Sequence, residues 1–161
     1  MGEKMKRMCF LTRAPLDAAP YAEIALPALA QAGWDITVVA PHADRSVLRS
    51  VRPFACHTRD LASPKLAGPF AREFNLLGEL CRARFGRYDV IYLNSQSLSA
   101  RGAIALAGPT PGRRIVYHNP DYYDPVAHPR YFALERRLCR KADLCINNEF
   151  HRGYITQAMY R

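Results

Sequence analysis

Short β-rich runs that stop abruptly at polar residues alternate in this chain with stretches of helical spacing, and that alternation leaves few folds open. The sharpest case is Arg113–Pro125, RRIVYHNPDYYDP. Arg114–Tyr117 reads as a buried strand, and His118, Asn119, Asp121, Tyr122, Tyr123 and Asp124 follow it closely. Pro120 and Pro125 bar either regular structure from continuing. In an open α/β sheet, ligands lie outside the carboxyl ends of the strands, so a site is expected here. An ordinary turn with amphipathic surface tyrosines would have the same composition.

The rest of the chain fits that frame. Lys6–Leu11 is expected as the first strand, and Thr12–Pro20 as a loop with two prolines and no glycine. Tyr21, Ile24, Ala25, Ala28, Leu29 and Ala32 keep helical spacing up to a capping Gly33, with Pro27 set to kink or restart the helix. Asp35–Ala40 completes a β–α–β unit, whose crossover is right-handed and whose strands are parallel. Val51–His57 carries Pro53 and is expected at a sheet edge. Phe70, Phe74, Leu77, Leu80 and Cys81 mark a helix within Pro64–Phe85. Asp89–Leu93 is the clearest strand, followed by polar residues from Asn94 and a small-residue helix over Leu98–Ala107. After the aromatic loop, Tyr131, Leu134, Leu138 and Ala142 line one side of a helix whose other side holds Arg136, Arg137, Arg140 and Lys141. Leu144–Ile146 and a helical pattern over Glu149–Tyr160 close the chain. The expected architecture is a doubly wound α/β fold with six mostly parallel strands and helices on both faces.

Composition narrows the function classes. A length of 161 residues suits a single domain with a proper core. Five cysteines without a C-x-x-C spacing argue against a metal site or a disulfide framework. The longest apolar run, Ile24–Ala30, is too short to span a membrane, and the first ten residues lack the apolar core of a signal peptide. The expected location is cytoplasmic. No G-x-G-x-x-G follows the first strand and no Walker A loop occurs, which sets aside dehydrogenases and P-loop NTPases. No G-x-S-x-G elbow surrounds Ser95 or Ser97. His118 with Asp121 or Asp124 offers acid–base chemistry, although groups so close in one loop could equally satisfy each other. A net charge of +9 favours phosphate, nucleic acid or an anionic membrane face. Nine tyrosines among the basic residues could stack bases, yet no recognisable nucleic-acid module accompanies them.

Three segments in order resemble the N-terminal half of GT-B-fold glycosyltransferases, specifically the large retaining group called family 4. They are APLDAAPYAEIALPALAQAGWDITVVAP, YDVIYLNSQSL, and RRIVYHNPDYYDP followed by LERRLCRKADLCINNEF. The resemblance implies a Rossmann-like domain that binds a glycan or lipid-linked acceptor, facing a C-terminal domain that binds a nucleotide-sugar donor. It implies no cofactor beyond that donor as co-substrate. His118 falls where the family often has a histidine at the acceptor side of the cleft. It would serve as a catalytic base or hydrogen-bonding group, with Asn94 and Asn119 orienting. If so, Thr12 and Arg13, Asn94 and Ser95, and His118, Asn119, Asp121 and Tyr122 should converge on one cleft, with Arg13 toward a phosphate and Tyr122 against a sugar ring or head group. The family's glycine-rich turn after the first strand is absent from Thr12–Pro20. The chain also stops where the donor domain is expected, so it is expected to be inactive alone, to meet that domain in trans, or to self-associate through an apolar or aromatic surface near the strand ends. The rival reading is a non-catalytic module that docks on an anionic membrane face or a protein through Arg136, Arg137, Arg140 and Lys141.

Overall fold

The computed structural model describes residues 6–12, 20–40, 56–60, 71–86, 88–94, 113–119, 124–147 and 157–158. The strands are β1 (Arg7–Thr12), β2 (Asp35–Ala40), β3 (Cys56–Asp60), β4 (Val90–Asn94), β5 (Arg114–Asn119) and β6 (Leu144–Asn147). The helices are α1 (Pro20–Gln31), α2 (Ala71–Phe85) and α3 (Pro129–Lys141). The strands join in the order β3-β2-β1-β4-β5-β6, and every pairing is parallel. This is the strand order of a doubly wound, Rossmann-like sheet, whose direction of winding reverses between β1 and β4.

The sequence accounts for most of these elements. β1 and β2 are buried almost throughout, as their unbroken apolar runs require of strands covered on both faces. α1 runs through Pro27 and ends as the glycine demands. Gly33 has φ +82, its N–H donates to the Ala30 carbonyl, and the Trp34 N–H donates to the Leu29 carbonyl. That pair of bonds is a Schellman cap, which a glycine in the left-handed region makes without strain. The expected strand at Val51–His57 is displaced. β3 begins only at Cys56, beyond Pro53, and runs to Asp60 at the sheet edge, while 51–55 lie outside the described residues. The expected helix over Leu98–Ala107 also lies outside them, as does all of the last one but 157–158.

Right-handed crossovers place α1 on one face of the sheet, and α2 and α3 on the other. In agreement, one core cluster joins Leu76, Leu80 and Ala83 of α2, Leu138 and Cys139 of α3, and Cys9, Leu11, Ile91, Leu93, Ile115 and Tyr117 of the strands. α2 corrects the reading of its sequence. Phe74 and Cys81 were expected inward, but they point to solvent, and the buried stripe is Leu76, Leu80 and Ala83. Apolar residues occupy two opposite sides of this helix, and the helical period alone does not say which side meets the sheet.

At the amino edge, aspartates tie strands together. Asp89 accepts a bond from the Arg7 N–H at 2.8 Å, and Asp143 accepts one from the Ile115 N–H at 2.7 Å. Asp35 accepts from Arg7 Nε at 3.1 Å. Tyr88, beside Asp89, donates its hydroxyl to Thr37 at 3.1 Å and lies under the Arg7 guanidinium. The Tyr-Asp-Val-Ile and Ala-Asp segments are therefore strand clamps, far from the carboxyl edge. Replacing Asp143 by alanine is expected to lower unfolding stability by about 1–3 kcal/mol, because the Ile115 N–H loses a charged acceptor. Urea denaturation checks this; an unchanged midpoint would contradict it.

Candidate functional site at the carboxyl edge

The parallel register sets three polar residues side by side where the strands end. Thr12 of β1 pairs with Asn94 of β4, and Asn94 pairs with His118 of β5. Registered residues of parallel strands share a face, so the three side chains project to the same side of the sheet. Thr12 and Asn94 close the two strands between which the winding reverses, the position where ligands sit in such folds. All three are buried: Thr12 is 0% exposed, Asn94 6% and His118 3%. Each is the first polar residue after the last apolar side chain of its strand and still keeps its place in the strand pairing.

One row deeper on the same face lies Tyr92, two residues before Asn94. Its ring stacks on Phe10, with centroids 4.8 Å apart and planes at 19°. Its hydroxyl meets His118 Nδ1 at 2.8 Å, and the two rings stand edge to face. His118 thus has a phenol partner held by packing on β1, which the sequence reading missed. The signal was available: Tyr92 precedes Asn94 by one strand period, so a register of Asn94 with His118 makes Tyr92 its diagonal neighbour.

Of the two carboxylates expected to partner His118, Asp121 lies outside the described residues and Asp124 behaves differently. Asp124 is exposed, and its Oδ1 accepts the N–H groups of Val126 at 2.7 Å and Ala127 at 2.8 Å. It closes its own turn. The Ala127 bond first, and the Val126 bond next, hold its carboxyl below the ordinary 3.8. Its contribution to the turn is thus fully present above that value and fades as pH falls through the lowered one. The Val126 and Ala127 amide resonances should therefore shift only at that more acid pH; a shift centred above 3.8 would contradict the arrangement.

Asn94 carries a further signal. Its Nδ2 is buried and has no hydrogen-bond partner among the described residues. A buried donor left unmade costs about 1–3 kcal/mol, so such groups are rare and usually belong to a ligand, a water or a function. Asn119 closes β5 in register with Asn147 of β6. Arg13, Ser95, Asp121 and Tyr122 lie outside the described residues. Arg136, Arg137 and Arg140 are exposed on α3, and Lys141 is half-buried there, away from this row. Among the described residues no group of three or more His, Cys, Asp or Glu could hold a metal ion. No helix among them is long and apolar enough to cross a membrane.

No curated protein matches the sequence. The family model of Glycosyltransferase Family 4 matches residues 21–149, which takes in the strands carrying Asn94 and His118 but not Thr12. With well over half its length matched, and with the doubly wound sheet that such a domain needs, the chain belongs to glycosyltransferase family 4.

Proposed function

We propose that this chain is the acceptor-binding part of a glycosyltransferase, which moves a sugar from a nucleotide-sugar to a glycan or lipid-linked acceptor once a donor-binding domain is supplied. The observation that carries the reading is the row Thr12, Asn94 and His118 at the point where the winding reverses, with a buried amide donor of Asn94 left without a partner. An acceptor hydroxyl is a ligand of the right kind for that donor, because its oxygen accepts while its proton remains to be removed. His118 is the base. The Tyr92 hydroxyl at Nδ1 holds its ring in place for that step. Tyr92 fixes the plane of the ring and is itself fixed by Phe10. Asn94 orients the acceptor, and Thr12 completes the floor beside it.

Binding can be read without turnover. Simple glycosides and a lipid-linked sugar added to the labelled chain should perturb the Asn94 side-chain amide and the His118 ring signals first. Asn94→Leu should weaken that binding about tenfold while the fold persists, since one hydrogen bond is lost and a polar oxygen faces an apolar side chain. Perturbations confined to the amino edge, or none with any acceptor, would overturn the reading.

A further inference from the structure

The exposed side of α2 carries two large apolar rings. Phe74 is 67% exposed and Phe85 81%, with Gly78 and Cys81 exposed between them. These four residues follow at intervals of four, three and four, so they form one straight stripe opposite the buried Leu76, Leu80 and Ala83. The two rings stand about 16 Å apart along the helix. Arg82 flanks the stripe and is ion-paired to Glu79, one turn back. α3 lies on the same face of the sheet, since both helices contribute to one core cluster. Its outward side carries Arg130, Arg136, Arg137 and Arg140, all exposed.

We propose that this side of the molecule docks on an anionic lipid surface, with Phe74 and Phe85 entering the interface and the α3 arginines meeting the headgroups. Three features select lipid over other occupants. The stripe is a convex ridge of two separated rings, which a deformable interface accepts and a rigid protein surface would have to match with a groove. A second copy would bring arginines against arginines in a chain of net charge +9. A donor-binding domain would close over the carboxyl ends of the strands, and the stripe instead runs the length of a helix that leads back toward the amino edge. Aromatic insertion combined with cationic attraction is how interfacial helices hold to membranes without crossing them.

Sedimentation with vesicles tests it. The chain should pellet with phosphatidylcholine vesicles containing phosphatidylglycerol at low salt, and hardly at all with phosphatidylcholine alone. Phe74→Ser with Phe85→Ser should weaken this at least about tenfold, at unchanged circular dichroism, because both rings lie outside the core. Arg136→Gln, Arg137→Gln and Arg140→Gln should each weaken it about fivefold and flatten the salt dependence. A polarity-sensitive dye on Cys81, exposed in mid-stripe, gives a second readout in a chain that keeps both phenylalanines: its emission should shift to the blue with anionic vesicles. No pelleting with anionic vesicles at low salt, binding indifferent to the two serines, or an unmoved dye would overturn the proposal. So would equal binding to neutral vesicles, or a dimer in light scattering that the two serines dissolve.

Discussion

Glu135→Ala is expected to destabilise the chain by about 3 kcal/mol, although the residue is a carboxylate on an arginine-rich helix. Glu135 is 0% exposed, and so is Tyr117 of β5, whose hydroxyl lies 2.8 Å from Oε1 and 2.7 Å from Oε2. One phenol proton reaches two oxygens, so the bond survives small rotations of either side chain. It ties α3 to the strand that carries His118. Alanine would remove the acceptor, leave the Tyr117 hydroxyl buried among Leu138, Leu93 and Ile115, and open a cavity; each of these costs free energy. Tyr117→Phe should also destabilise, on the order of 2 kcal/mol, because a buried carboxyl loses a donor. The double variant should cost less than the sum by about 1 kcal/mol or more, since either single change already removes the contact the two side chains share. Urea unfolding of the four proteins measures this. Strict additivity would show that the contact carries no coupling.

The class of fold, and most strand positions, were legible because short apolar runs ending in Thr12, Asn94 and His118 leave little freedom. Those same endings located the candidate site, since strand ends of parallel neighbours fall on one edge. Gly33 declared its own cap. What escaped the sequence was partnership across elements. Tyr92 and His118 are separated by 26 positions, and only the β4–β5 register brings them together. Glu135 was not singled out on its arginine-rich helix, because its phenol partner belongs to a strand 18 positions earlier. Asp124, adjacent to the histidine loop, looked like a catalytic partner and is used up by its own turn. On α2 the period was right, but of the residues that marked it Leu80 turns inward while Phe74 and Cys81 turn outward. Phe74 and Leu76 are both apolar, and only the core decides which of them it takes.

The exposed apolar surface has a bearing on the expectation that it would gather near the strand ends. Val126 is exposed in the turn after the β5 loop and Tyr131 at the start of α3, whereas Phe85 is exposed at the end of α2 that leads into β4. Among the described residues, exposed apolar side chains are therefore found at both edges of the sheet.

The central claim is that His118 acts on an acceptor hydroxyl. The most direct measurement is sugar transfer by this chain joined to a donor-binding domain of the family, with His118 intact and replaced by alanine. Removing a positioned base typically costs 10²- to 10⁴-fold, so about that loss is expected in kcat, with the sheet unchanged by circular dichroism. Transfer by the alanine variant at near the parent rate, with the fold intact, would contradict the account.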